Sequence, residues 1–434
     1  MTIYCVPGTT GTWDTAMKKS LLCLLTILVV SSAFAEDVIN PGTVRGTAQR
    51  QGIPIYVCDF RGGAVSIADV VRKDLNIHGG FSLARISTSD ATTLNNADYS
   101  QGAIHFQNWR NLGCALIGKG EVSGSTLSFK LYNTSNGSTV MGRTYNMGSV
   151  SPRRVAHAIA NDIVQDVLKE KGFFQSRMLY ASGYGRSKNI VMCDILGGDK
   201  KNLTSGSDLN TFPDWYPDHK NILYTSYRAN HAVIYKLDLT SGKTQKLLAM
   251  PGMNTSGCVS PDGRQLAAIL DKDGFPELYT YALNGGSHKR LTRGRDNESS
   301  PSWSPDSNKI VFSCDEGKSP QIYIMNASGG GRTRICRNVS RYCTSPAWSP
   351  DGKKIAFVAQ IGGNYEVCVC DLSSGNSKNV TNNPSNDEFP CWAADSRHIV
   401  FARAGSSIVI VDSETGKETT LVSGGSNTSP ALEP

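Results

Sequence analysis

From residue 178 onward, apolar and polar residues alternate with a period of two, as in Ile355-Ala-Phe-Val358 and Glu366-Val-Cys-Val-Cys370. That is the rhythm of a β-strand. The alternating stretches recur. Met178, Ile222, Leu266, Ile310, Ile355 and Ile399 share one column, at intervals of 44, 44, 44, 45 and 44 residues. A second column holds Gly198, Gly242, Gly286, Gly330, Gly375 and Gly416, where a hairpin turn needing positive φ is expected. After it come Leu203, Leu247, Leu291, Ile335, Val380 and Leu421, each opening a short outer strand.

Each of the six units therefore reads as four short strands. Strand A carries Pro-x-Trp, as in Ser300-Pro-Ser-Trp303 and Ser345-Pro-Ala-Trp348, and a turn at Asp218, Asp262, Asp306, Asp351 or Asp395 leads into B, C and D. Units of this length and pattern fit propeller blades. The first unit starts at strand B, with Arg177-Met-Leu-Tyr180, and has no Pro-x-Trp of its own. The chain finishes with Ser429-Pro-Ala-Leu432, matching Ser345-Pro-Ala-Trp348 at three of four positions. The expected fold is a six-bladed propeller over 172–434, closed by the C-terminal strand, so that the inner ring has no exposed edge.

The segment 51–171 is patterned differently. Ile53–Cys58, Cys114–Ile117, Thr126–Tyr132 and Thr139–Tyr145 read as strands, with turns at Ser123-Gly124 and Asn136-Gly137. Ser66–Leu75 is an amphipathic helix with Ser66 as cap. A second helix has Ser151 as cap and Pro152 in its first turn, an apolar stripe of Val155, Ile159, Ile163 and Val167, and a stop at Gly172. Two helices on a mixed sheet, an α/β domain, are predicted.

Ahead of it, Met17-Lys-Lys-Ser20, the apolar run Leu21–Val30 and Ala33-Phe-Ala35 form a secretory signal, with the start at Met17 and cleavage after Ala35. Residues 36–50 are poor in apolar side chains and contain Pro41-Gly42, which reads as a mobile arm.

The formal charge of +7 comes without any Lys/Arg-rich run, so a nucleic-acid partner is unsupported. Export places the cysteines in an oxidising compartment. Cys193 and Cys370 nevertheless share an apolar column, which reads as buried core, while Cys336 and Cys343 flank a loop and are the disulfide candidate. No Cys-x-x-Cys, no Gly-x-Ser-x-Gly and no paired-histidine motif occurs, so the sequence offers no zinc, nucleophile-elbow or metalloprotease signature. Asp387 and Glu388, with Asp296 and Glu298, lie just before inner strands, where an acidic ring could hold a cation or a basic partner; solvated turn residues are the plainer reading. Trp215, Trp303, Trp348 and Trp392 recur at one position and read as packing between blades. In the third blade Gly257 and Val259 replace Pro and Trp, so a looser inner strand is expected there.

A secretory signal, a small α/β domain opening near Ile53-Pro-Ile55 and six units carrying Pro-x-Trp-Ser-Pro-Asp-Gly together resemble the TolB family of the Tol-Pal system. The resemblance covers essentially the whole chain after the signal. It implies a non-enzymatic periplasmic hub with no cofactor, no catalytic residue and no metal site. Such a hub would bind the lipoprotein Pal through the propeller and connect it with TolA during envelope maintenance and division. Carried onto blade geometry, the loops before strand A would face Pal, with Asn210, Thr211, Asn254, Thr255, Glu298, Ser299, Tyr342, Asp387 and Glu388 as the expected contacts. The strand-forming N-terminal segment through which the family engages TolA is matched here only by Val38 and Ile39 ahead of Asn40-Pro41-Gly42. The alternatives are a secreted propeller hydrolase or lyase using the channel-mouth carboxylates, and a propeller that binds cell-wall carbohydrate.

Overall fold

The computed structural model describes residues 52–62, 66–228 and 231–434, so the expected signal, its cleavage site and the arm at 36–50 lie outside the described residues. The first domain runs β1 (Ile53–Val57), α1 (Ser66–His78), β2 (Phe81–Leu83), α2 (Thr88–Gln101), α3 (Phe106–Asn111), β3 (Leu116–Ser123), β4 (Thr126–Asn133), β5 (Thr139–Asn146) and α4 (Pro152–Ile163). Its sheet has the order β2-β1-β3-β4-β5, parallel where β1 meets β2 and β3 and antiparallel beyond. Alternation along β1 sorts its two faces. Ile55 and Val57 pack with α1 and α4, whereas Tyr56 and Cys58 lie on the side of α2 and α3 around Trp109.

The two expected helices are α1 and α4, and α4 keeps its Ser151 cap, with the hydroxyl accepting the Arg154 N–H at 3.3 Å. It ends earlier than the sequence indicates. Residues Val164–Leu168 form a π-turn and Lys169 takes a left-handed φ of 60°, so the helix stops short of Gly172. Gly172 is needed for another reason: a Cβ there would lie 2.2 Å from Asn161 Oδ1. Helices α2 and α3 come in addition. The polar sequence of α2 is fixed at its ends, by Ser87 accepting the Asp90 N–H and by Gly102 at φ 68°.

The propeller has six four-stranded blades, each a meander from an inner strand A to an outer strand D. Blade one takes its inner strand from the chain end: Ser426–Leu432 pairs antiparallel with Met178–Tyr184. Beyond the strand, the Arg177 guanidinium grips the Glu433 carboxylate, with Nε donating at 2.8 Å, and the Glu433 N–H donates to Arg177 O at 2.9 Å.

The repeat columns are realised with local differences. All five turn aspartates accept a backbone N–H two residues on, from Lys220, Arg264, Asn308, Lys353 and Arg397, which is a turn-forming role. Glycines 242, 286, 330, 375 and 416 take positive φ as expected, but in blades one and four the turn is a residue shorter, and in blade one Gly197, not Gly198, is left-handed at 73°. The outer-strand column also shifts. Strands such as Lys201–Asn202 and Thr333–Arg334 end just before Leu203 and Ile335, so these residues follow strand D instead of opening it. Three tryptophans join neighbouring blades: Trp215 Nε1 donates to Ala431 O, Trp303 to Cys258 O and Trp392 to Ala347 O, at 3.2, 3.0 and 3.0 Å. Trp348 turns instead to Gly352 O of its own blade. Blade three is not loose. A Cβ on Gly257 would lie 3.0 Å from Ile234 Cδ1 and 3.2 Å from Leu266 Cδ1, and Val259 is buried among Tyr216, Leu223 and Ile234.

The α/β domain packs on the A–B and C–D turns of blades six and one. Arg153 Nε donates to Asp194 at 2.6 Å, Lys417 Nζ to Asn76 Oδ1 at 3.1 Å, and Arg397 clamps Asp412 through two bonds of 3.0 and 2.7 Å. Between them His78, from α1, is 1 % exposed and its ring centre lies 5.7 Å from that of His398, with Phe173 and Phe174 alongside. Asp395, Arg397, Asp412 and Glu170 are the charged groups around it.

Two predictions follow from this construction. Deleting residues 429–434 removes the second half of the closing strand, the Glu433 clamp and the acceptor of Trp215. Loss of the buried Ala431 and Leu432 costs about 3 kcal/mol or more; a calorimetric Tm equal to that of the full chain contradicts the closure. Burial, then the nearby His398, hold His78 down at about 4, against 6.5 for an unperturbed histidine. The unfolded chain therefore takes up a proton as pH falls below 6.5 while the folded chain does not, and stability is lost between pH 6.5 and 4. His157, raised to about 9 by Asp194 and Asp74 against the cost of burial, acts with the opposite sign. Comparison with His78→Phe isolates the term: wild type loses about 2 kcal/mol more than the variant between pH 7 and 5 in urea unfolding.

Candidate functional site

Because each blade is a meander, D–A connections and B–C turns gather at one end of the ring and A–B and C–D turns at the other. The α/β domain occupies part of the second end. The first end holds every expected contact residue, at or just before the start of strand A.

These residues fall into two rings. The first, Asn210, Asn254, Glu298 and Asp387, is buried and engaged within the protein. Asn254 Nδ2 donates to the carbonyls of Ala232, Met250 and Gly252 at 3.1, 2.8 and 3.2 Å, and Asn210 Nδ2 to Lys188 O at 3.0 Å. Asn427, at the same place in blade one, holds Ser406 O and Gly424 O in the same way. Asp387 receives both arms of Arg403 at 2.8 and 2.9 Å, and Arg403 also reaches Glu418. Burial pushes the Glu298 carboxyl up to about 7 although Arg332 stands 3.9 Å away. The acidic mouth is thus built into ion pairs and loop anchors, and among the described residues no group of three metal-ligating side chains converges.

The second ring, Thr211, Thr255, Ser299 and Glu388, continues in Thr344 and Thr428, and Tyr342 lies just outside it. Glu388 is raised by burial and by Asp387, against the pull of Lys188, whose Nζ donates to Thr428 Oγ1 at 3.0 Å. Next comes a bulge in all six inner strands. Phe212, Ser256, Ser300, Ser345, Phe389 and Ser429 have φ of 47, 53, 52, 50, 55 and 52°, and the pairing register shifts at each. A bulge leaves the following position without a ladder bond, which is where proline, lacking an N–H, is tolerated. The Ser-Pro-x-Trp motif is the sequence of that bulge.

Beyond it opens a central channel of about 560 Å³, walled by the prolines, the tryptophans, Asp214, Cys258 and Cys391. Phe212 and Phe389 meet edge to face with ring centres 5.9 Å apart, inside its wall. Burial lifts the Asp214 carboxyl to about 7 against backbone N–H bonds from Trp215 and Val259.

Sequence reasoning missed the exposed aromatic side chains of this end. Tyr184, at the B–C turn of blade one, is 80 % exposed, and Phe275, in the B–C loop of blade three, is 38 % exposed. Aromatic residues at hairpin tips, outside the alternating strand pattern, were the available signal.

A closed six-bladed ring with an α/β domain on one end and, on the other, a loop face that no other described element covers defines a two-domain propeller protein. A family model described as the TolB beta propeller domain matches residues 164–434, and one for the TolB amino-terminal domain matches 45–140; the chain belongs to the TolB family. Similar relatives include the Tol-Pal system protein TolB of Chromobacterium violaceum, 29 % identical over 215 residues, 48 % of this chain and 49 % of that protein. The corresponding protein of Geobacter sulfurreducens is 30 % identical over 216 residues, 47 % of this chain and 48 % of that one. The matched part thus spans about half the length of these relatives. A crystal structure of TolB from Acinetobacter baumannii shares the fold, with TM-score 0.78 and 24 % identity, covering 88 % of this chain and 97 % of that one.

The ion pair at the channel mouth is directly testable. Arg403→Ala leaves Asp387 buried without its partner and costs about 3–5 kcal/mol, whereas Glu388→Gln stays within about 1 kcal/mol of wild type in denaturant unfolding. Equal losses in the two variants contradict the assignment of Asp387 to structure.

Proposed function

We propose that the chain is a non-enzymatic scaffold of the Tol-Pal system, exported to the periplasm by the Met17–Ala35 signal, and that it docks the lipoprotein Pal on the loop face of the propeller. In this reading it supports outer-membrane integrity and constriction of the envelope during division. The observation that supports it most is that this face is uncovered by the α/β domain and displays Tyr184 and Phe275 among polar loops. Exposed aromatics rimmed by polar groups are what protein interfaces use as anchors. Of the nine expected contacts, the reading keeps Ser299, Tyr342 and Glu388, which are partly exposed, as direct contacts. It gives Asn210, Asn254, Glu298 and Asp387 the task of holding the loops in shape. Thr211 and Thr255, also buried, line the mouth below them.

TolA is assigned no site: the arm at 36–50 offers only Val38 and Ile39 for strand addition ahead of Asn40-Pro41-Gly42. No helix among the described residues is long and apolar enough to cross a membrane.

The test is calorimetric titration of the mature chain from Glu36 with the soluble domain of Pal. Tyr184→Ala and Phe275→Ala each weaken binding about 5- to 30-fold, as expected of anchor residues, with Tm unchanged. Folded protein that binds no Pal overturns the reading. Turnover of a peptide or ester panel then favours the propeller enzyme, and retention on purified peptidoglycan without Pal favours the wall-binding propeller.

A further inference from the structure

The position just after the outer-strand column is occupied in the six blades by Thr204, Leu248, Thr292, Cys336, Thr381 and Val422. In blades one, three and five the threonine hydroxyl accepts an N–H from strand C of its own blade, those of Ile190, Leu278 and Val367, at 2.9 Å each. Blade four differs. Cys336 has a left-handed backbone, φ 53°, which none of the other five shares, and Asn338 follows at 63°. A residue with a β-carbon keeps that conformation only where its surroundings impose it.

With this backbone Cys336 joins the buried cluster between blades four and five, which contains Val311 and Ile322 of one and Ile355, Phe357, Cys368 and Cys370 of the other. Within this cluster the Cys336 thiol and backbone N–H lie against the Cys370 sulfur, whose thiol also reaches Asp371 O and Gly375 O at 3.8 and 3.9 Å. The two cysteines are 3 % and 1 % exposed. The sequence candidate, Cys343, lies in the same cluster, but its thiol donates to Ser340 O at 3.7 Å. In the structure all of these thiols are reduced.

We propose that Cys336 and Cys370 form a disulfide in the exported protein, stapling the outer edge of blade four to strand C of blade five. The inference rests on export to an oxidising compartment, part of the functional reading above. The oxidant is a disulfide, either that of a thiol-disulfide oxidase or a low-molecular-weight one. One cysteine thiolate attacks an oxidant sulfur, forming a mixed disulfide and expelling the other oxidant sulfur as a thiolate. The second cysteine, as thiolate, then attacks the cysteine sulfur of the mixed disulfide and releases the remaining oxidant thiol. One S–S bond is made and one broken; two cysteine thiols are oxidised and two oxidant sulfurs reduced. Because both sulfurs are buried in the finished propeller, the exchange belongs to folding, before blades four and five close on each other.

The contact also separates the two thiols chemically. Donation from Cys336 holds the Cys370 thiol down at about 7, and the same bond, with burial, raises Cys336 far above the usual thiol range.

The experiment is a non-reducing peptide map, after alkylation of free thiols, of full-length chain expressed with its own signal and recovered from the exported fraction. The expected result is a Cys336 peptide linked to a Cys370 peptide, about 2 Da lighter than the two free peptides together. Reduction should lower Tm by about 5 °C in wild type and in Cys343→Ser, and leave Cys336→Ser unmoved. Processed protein whose Cys336 and Cys370 are both alkylated, or whose Cys336 is linked to Cys343, overturns the proposal. The N-terminal peptide in the same map reports export: a chain beginning at Glu36 with both thiols free refutes the disulfide alone, whereas an unprocessed chain refutes the export on which it depends.

Discussion

The ring must close, and the pairing of residues 426–432 with the first strand of blade one is what closes it. A blade alone has two apolar faces and two open edges, and neither is satisfied until neighbours stand on both sides. Six blades therefore stand or fall together, and the contacts that commit the last strand to the first blade span the greatest sequence separation in the propeller. The Arg177–Glu433 clamp sits just outside the strand pair, and Trp215 of blade two reaches Ala431 across it, so closure ties three blades at once.

Inside the ring, the shared bulge decides what the inner strands present. Each turns left-handed at its bulge, then places proline or Gly257, then a residue walling the channel, then tryptophan, valine or leucine against a neighbour. One backbone device thus accounts for three features of the motif: proline where no N–H is wanted, small residues at four of the six bulges, and a tryptophan whose N–H, in three of four blades, reaches an adjacent inner strand. Blade three shows how far the device tolerates change. Losing Trp removes one such bond, and glycine lets Ile234 of blade two approach instead.

Much of this was legible because the repeat writes each structural demand six times. Columns such as Met178–Ile399 and the five turn aspartates identify themselves by recurrence, and the terminal Ser-Pro-Ala-Leu432 by its displacement from them. Legibility failed where individual copies depart from the column. The short turn at Gly197, the π-turn after Ile163 and the left-handed Cys336 each answer a local contact that spacing does not record. Helix α2 was invisible for a different reason: its buried side chains are Ala91, Asn95 and Asp98, two of them polar. Its burial is carried by Lys119, which reaches Asn95 Oδ1 and Asp98 Oδ2 at 2.8 Å each, and by the Trp109 N–H to Asp98, not by an apolar stripe. The expected contact residues do gather at the D–A end of the propeller, but sequence could not tell a partly exposed side chain from one anchoring a loop, since Glu388 and the buried Asn254 occupy adjacent positions of the repeat.

The two ends of the propeller are consequently unequal. On one, the α/β domain is held by a continuous apolar core shared with blades six and one and by Arg153 and His157, which both reach Asp194. Such an interface is costly to open, because Asp194 would be stranded from both of its cations. The other end has its charges neutralised at the first ring of strand A and its aromatics out on the hairpin tips. A partner docked there, as proposed above, would meet Tyr184 and Phe275 without having to break an ion pair. The blades that carry the α/β domain also carry part of that face: Tyr184 belongs to blade one, whose opposite end holds Asp194 against Arg153 and His157.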